Sequence, residues 1–182
     1  LAVGASYDGI GFGPGNWDWT PDGETIVFEG MPPAQADTML HAGAIYAVAA
    51  AGGEPRRLSP AGGIWLKPVV SPDGKSIAYV GHGATRMTMR TTSLWVMNRD
   101  GSNARELTPT LDRDPAMFGM GALFWAPDGS GLYFSPEDRG NRHLTFAPLA
   151  GGATRQLTSG AQQVTLSSRS AGGVMVATVT DP

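Results

Sequence analysis

The chain has no cysteine, which removes disulfides, thiolate nucleophiles and cysteine-ligated zinc from the chemistry open to this segment. The same absence leaves the compartment undecided between the cytoplasm and the periplasm or exterior of a bacterium. Charge is sparse as well. Acidic and basic residues make up 16% of the chain, the formal net charge is −3 and the pI is near 5.5. Nucleic-acid modules carry a basic stripe, and none is present, so no nucleic-acid partner is expected. The longest run of low polarity, residues 42–53, is too short and glycine-rich to cross a bilayer, which takes about 20 apolar residues. No Gly-x-Ser-x-Gly occurs, so the strained turn that exposes a serine nucleophile is missing. Gly11-Phe12-Gly13-Pro14-Gly15 is not followed by the Gly-Lys-Ser/Thr of a phosphate-binding loop and reads as a flexible connection. Neither Asp37 nor Asp112-Arg113-Asp114 has the ligand spacing of a calcium loop. No catalytic residue, cofactor or metal site is expected in this segment.

What the chain does have is turns. Its 26 glycines and 14 prolines suit an all-β domain, and the tripeptide Pro-Asp-Gly stands at Pro21-Asp22-Gly23, Pro72-Asp73-Gly74 and Pro127-Asp128-Gly129. Proline presets φ for a tight turn, aspartate bonds back to the backbone and glycine takes the positive φ that closes it. Each copy follows a strand ending in Trp19-Thr20, Val70-Ser71 or Trp125-Ala126. Each precedes a short apolar strand, at 25–28, 76–80 and 131–134. A third strand follows at 44–48, 93–97 and 142–146, and then a glycine turn opens a fourth, in Gly52-Gly53-Glu54-Pro55-Arg56-Arg57-Leu58-Ser59, Gly101-Ser102-Asn103-Ala104-Arg105-Glu106-Leu107-Thr108 and Gly151-Gly152-Ala153-Thr154-Arg155-Gln156-Leu157-Thr158. The interval is about 50 residues, the period of a stacked supersecondary unit, and four strands per period make a propeller blade. A degenerate fourth copy starts near Val164, with Gly172-Gly173 in place of Pro-Asp-Gly. The strands are apolar on both faces, as when blades stack and bury both sides of each sheet.

The expectation is an all-β fold, a β-propeller fragment of about three and a half four-stranded blades. The whole chain, 1–182, is read as a partial propeller, with blades at 14–59, 64–108 and 120–158 and a partial blade at 162–182. Closed propellers need roughly four to eight blades. The first residue is Leu1, and the rest of the propeller is expected in a longer parent chain.

Side chains with chemistry are few. The three histidines, His41, His82 and His143, fall at different points of the repeat and are read as loop or packing residues. His82 with Arg86 is the best binding candidate, because loops carry function and a cation can hold a peptide carboxylate. A solvated loop is the plainer reading. Glu137-Asp138-Arg139 has the composition of an acidic recognition cluster, yet its place at a short turn between the second and third strands of a blade assigns it to turn formation with Gly140-Asn141. Arg57, Arg105 and Arg155 recur with the blade period and are read as structural. The tryptophans Trp17, Trp19, Trp65, Trp95 and Trp125 are read as inter-blade packing.

The series Trp19-Thr20-Pro21-Asp22-Gly23, then Ile77-Ala78-Tyr79-Val80-Gly81-His82, Ser93-Leu94-Trp95-Val96-Met97-Asn98 and Arg105-Glu106-Leu107-Thr108, resembles two propeller groups. One is the N-terminal propeller of the prolyl oligopeptidase family of serine peptidases, in its acylaminoacyl-peptidase and dipeptidyl-peptidase branches. The other is the TolB-like propeller of the bacterial periplasm. The long, unequal connections at 29–43 and 81–92 favour the peptidase. That resemblance implies a non-catalytic propeller that gates access for short peptides, with a Ser, Asp, His triad in a C-terminal α/β-hydrolase domain of the parent chain. The alternative implies a periplasmic protein-binding propeller without enzymatic activity.

Overall fold

The computed structural model describes residues 17–30, 43–84, 90–116 and 121–181. The fold is all-β, four four-stranded sheets arranged as propeller blades. The first holds β1 (Trp17–Trp19), β2 (Thr25–Gly30), β3 (Ala44–Ala49) and β4 (Arg56–Arg57) in that spatial order. The second repeats the meander with β5 (Ile64–Val70), β6 (Ser76–His82), β7 (Ser93–Asn98) and β8 (Arg105–Glu106). The third uses β9 (Phe124–Trp125), β10 (Gly131–Phe134), β13 (Thr145–Pro148) and β14 (Arg155–Gln156). Between β10 and β13 the chain leaves this blade to form a hairpin, β11 (Glu137–Asp138) and β12 (Asn141–Arg142). The hairpin joins β15 (Gln163–Arg169) and β16 (Met175–Thr180) as the fourth sheet, through a parallel bridge from Arg142 to Gln163.

Three turns show why the sequence folds this way. The amide of each Pro-Asp-Gly glycine donates to the carbonyl three residues back, at Thr20, Ser71 and Ala126, with φ of 71, 70 and 71°. In the first two, the hydroxyl before proline donates to the aspartate, Thr20 to Asp22 at 2.6 Å and Ser71 to Asp73 at 2.7 Å, and accepts from the amide of Thr25 or Ser76. The third has Ala126 there and lacks the hydroxyl bonds, but Asp128 accepts from the Ser130 amide as Asp22 and Asp73 accept from those of Glu24 and Lys75.

A second device closes each blade on its other rim. The amides of Ile45, Leu94 and Leu144 donate to the hydroxyls of Ser59, Thr108 and Thr158, each at 3.0 Å. The carbonyls of the same three residues accept from Leu58, Leu107 and Leu157. The Leu-Ser/Thr after these three fourth strands is thus a side-chain continuation of the ladder, and at Ile45 and Leu94 it covers a donor that would otherwise be buried unpaired.

Alternation along the second strands builds the core. Ile77 and Tyr79 face the first blade and pack with Val27, Ile45 and Trp65, while Ala78 and Val80 face the third and pack with Trp125, Leu132 and Phe134. β5 lies against β1 and β2 on one side and touches β9 on the other, so the first strands of the blades meet. Trp65 and Trp125 are buried, and Trp125 donates to the Val69 carbonyl of the neighbouring blade at 3.0 Å. Trp19 is 44% exposed.

Two details differ from the sequence reading. The third strand of the third blade begins at Thr145, because Arg142 is drawn into the β11–β12 hairpin. The recurring arginine of the fourth strand is Arg56 rather than Arg57. Arg56 pairs opposite Ala47 as Arg105 does opposite Val96 and Arg155 opposite Phe146. Arg56 and Arg105 reach the carbonyls of Asp100 and Leu149, in the turn between the third and fourth strands of the next blade. Arg155 lies over the Phe146 ring.

Candidate functional site

In an antiparallel meander the ends of the second and fourth strands share a rim with the starts of the first and third. Every Pro-Asp-Gly turn and every glycine turn before a fourth strand therefore lies on one rim. The connections between second and third strands, and from blade to blade, lie on the other. That second rim carries a cleft of about 660 Å³ between the second and third blades.

The cleft is assembled from three connections. Thr91 precedes β7, Asp112 to Ala116 belong to the link from β8 toward β9, and Ser135, Glu137, Asp138, Arg139 and Arg142 come from the excursion between β10 and β13. Asp114 anchors the second connection to the first, its Oδ1 accepting from the amide and hydroxyl of Thr92 at 2.6 and 2.8 Å. Arg113 anchors it to the third: Nε and Nη2 both lie 2.8 Å from Asp138 Oδ1, and Nη1 donates to the Asp112 carbonyl. Glu137 and Arg142 face each other across the hairpin and pair at 3.2 Å. Ser135 Oγ is buried beside the cleft without a hydrogen-bond partner among the described residues. The walls thus carry four carboxylates and three guanidiniums on a partly apolar base with Ala116 and Gly121, suited to a polar guest bearing both donors and acceptors.

The hairpin geometry explains why Glu137-Asp138-Arg139 contributes. Arg139 and Gly140 have φ of 52 and 80°, the pair of left-handed residues that a two-residue hairpin turn requires. The segment is therefore a β-hairpin with Glu137 and Asp138 in its first strand, where the sequence indicated a turn alone. Glu137 to Arg139 and Asp112 to Asp114, each set aside when read singly, are brought together. The signal that could have found them is pairwise: acidic-basic triplets in two connections that the blade repeat assigns to the same rim.

A second irregularity lies on the inner strands. β5 contains Lys67-Pro68, its register slips between Leu66 and Val69, and Lys67 has φ of 53°. The amides left without ladder partners are covered from the first blade, Val70 by Asp18 Oδ2 and Lys67 by Glu29 Oε2, each at 2.8 Å. Burial raises the Asp18 pKa above the usual carboxylate value, against the lowering by its bonds from Val70 and Trp19. Burial lowers that of Lys67, with Glu29 opposing.

Of the binding candidates, His82 is the last residue of β6, buried, with Nδ1 2.9 Å from the Gly83 carbonyl. Its partner Arg86 lies outside the described residues, as do His41, Asp37 and the segment from Gly11 to Gly15. The structure does not draw His82 into the cleft. His143 is half-buried, with Nδ1 3.4 Å from the Thr158 hydroxyl. Among the described residues no group of three or more His, Asp or Glu side chains is placed to hold a metal ion, and no helix is long and apolar enough to cross a membrane.

No protein-family model matches the chain. Over 147 residues it is 27% identical to dipeptidyl-peptidase 5 of Porphyromonas gingivalis, a match covering 80% of this chain and 21% of that protein. The chain thus spans about a fifth of the length of the curated relatives it matches. In fold it is similar to the putative TolB of Agrobacterium tumefaciens, with a TM-score of 0.63 at 22% identity over 91% of this chain and 54% of that one. It is also similar to the acylaminoacyl peptidase of Pyrococcus horikoshii, with a TM-score of 0.60 at 18% identity over 84% of this chain and 22% of that one. The chain is a β-propeller segment related to dipeptidyl-peptidase 5 in sequence and to acylaminoacyl-peptidase and TolB-like propellers in fold.

Proposed function

We propose that this segment is the non-catalytic, substrate-gating part of a serine peptidase that hydrolyses short peptides. The reading is carried by the 27% identity to dipeptidyl-peptidase 5 across four-fifths of the chain. It is supported by the concentration of irregular, charged connections on one rim, beside a repeat scaffold with no nucleophile elbow of its own. On this reading the parent chain supplies an α/β-hydrolase domain with the Ser, Asp, His triad, and the cleft rim faces the path of incoming peptide. The test begins with the parent coding sequence beyond Pro182. A Gly-x-Ser-x-Gly followed by Asp and then His is expected. The full-length protein should release dipeptides or acylated amino acids from short chromogenic peptides and leave folded proteins intact. A parent without that motif, inactive on these peptides, refutes the reading.

A second reading is a TolB-like protein-binding propeller without enzymatic activity, favoured by the fold similarity to the Agrobacterium protein. It requires an exported parent with no hydrolase domain, so the same coding sequence decides between the two.

A further inference from the structure

From the β11–β12 excursion we infer that this hairpin is a releasable strap over the cleft, fastening the third blade to β15 and β16 and opening as a unit while the third blade and the β15–β16 pair stay folded. The inference rests on the cleft geometry and holds whether or not the parent is a peptidase.

Two-residue strands cannot support a hairpin by themselves, so the strap depends on what it touches. On one side Arg113 grips Asp138 through two nitrogens at 2.8 Å. On the other the Arg142 amide donates to the Gln162 carbonyl at 3.0 Å, the Gln162 amide to Asn141 Oδ1 at 3.1 Å, and Gln163 Nε2 to the Gly140 carbonyl at 3.2 Å. Apart from the half-buried Asn141 and Arg142, the hairpin residues are exposed, and none belongs to an apolar core cluster. The strap is thus closed by polar contacts that water and salt compete with, while β10 and β13 on either side are held by buried Leu132, Phe134 and Ala147. Such a division between a weakly held segment and a strongly held frame permits local opening far below the cost of global unfolding. Because Glu137, Asp138, Arg139 and Arg142 form one wall of the cleft, opening widens it and exposes Ser135.

Amide hydrogen exchange on the chain, read at Arg142 and Gln162 against Leu144 and Leu157, tests this. Asp138→Ala and Arg113→Ala should each speed exchange at the first pair about fivefold, the scale of one exposed ion pair at the strong end of its range. The double variant should be little faster than either single one. Arg139→Asn, which suits the left-handed turn position, should slow it. Raising salt on the unmodified chain should speed the first pair and leave Leu144 and Leu157 unchanged, a measurement that needs no variant to fold. Exchange at all four amides rising together, or no response to salt and to either single substitution, overturns the strap.

Discussion

Replacing Thr108 by valine keeps the side-chain shape and deletes the hydroxyl that accepts from the Leu94 amide at 3.0 Å. Thr108 is 2% exposed and Leu94 is 0%, so no water can take over the lost bond without opening the seam between the second and third blades. A buried donor left unpaired costs about 1–3 kcal/mol, and the near-identical volume adds no cavity cost. The same change at Thr158 breaks an identical bond to Leu144, but both residues are only half-buried. Water can replace the hydroxyl there, and the loss should fall to about 0.5 kcal/mol. In urea unfolding followed by tryptophan fluorescence, with m near 2 kcal/mol/M, Thr108→Val should lower the midpoint by about 0.5–1.5 M and Thr158→Val by about 0.25 M. Equal shifts at the two sites would refute the claim that burial of the donor, rather than the bond itself, sets the cost.

Other outcomes follow from the same geometry. A Cβ at Gly81 would lie 2.0 Å from the Ile64 carbonyl and 2.7 Å from the Trp65 ring. Gly81→Ala should therefore cost about 3 kcal/mol or more, against about 1 kcal/mol for Gly52→Ala, where nothing stands within 4 Å and only the positive φ is strained; thermal unfolding ranks the two. The Asp22 pKa is lowered, chiefly by its bond from Arg99. Its stabilising contribution is present above the unfolded value of 3.8 and lost as pH falls through the lower folded value, so Asp22→Asn should flatten the acid limb of a stability–pH curve. Asp18 has the opposite sign, because its folded pKa is raised. Its contribution is present below 3.8 and lost as pH rises through the folded value, so the advantage of the unmodified chain over Asp18→Asn should shrink between acid and neutral pH. A gap that widens would contradict burial as the main influence on Asp18.

Most of the scaffold was legible in the sequence because each repeat device is local. The turn is written in Pro-Asp-Gly, and the hydroxyl bond in Leu-Ser/Thr fourteen residues after its donor. Even the degenerate fourth copy keeps one contact of the others. The Gly173 amide donates to the Ser170 carbonyl three residues back, with φ of 86°, as the glycines of the three tripeptides do to theirs, so it holds the place of the turn glycine without the tripeptide. What escaped was non-local. Nothing in the string Glu137 to Arg142 states that its partner is Gln163, beyond the last strand of the third blade, since the parallel bridge depends on where two blades stand relative to each other. The recurring arginine, by contrast, is local: Arg56 stands two residues before Leu58 as Arg105 does before Leu107 and Arg155 before Leu157, and the pairing with Ala47 agrees.

The two rims divide the chain by the freedom they allow. A turn between first and second strands joins neighbours about 5 Å apart and has few conformations that close, so its sequence is tied to the fold. A connection from second to third strand, or from one blade to the next, is fixed at an end by bonds such as those of Thr108 and Thr158 and otherwise by polar contacts such as those of Arg113 and Asp114. Its middle can vary in length and charge at small cost to the core. The β11–β12 hairpin and the Asp112 to Asp114 link both use that freedom, and both line the cleft. Substitutions on the Pro-Asp-Gly rim should accordingly register in stability. Exposed substitutions such as Asp112→Ala or Arg139→Ala, on the opposite rim, should leave the unfolding midpoint unchanged within about 0.5 kcal/mol and register in ligand or peptide handling. A set of variants that mixes the two responses without regard to rim would remove the physical basis for placing the function at the cleft.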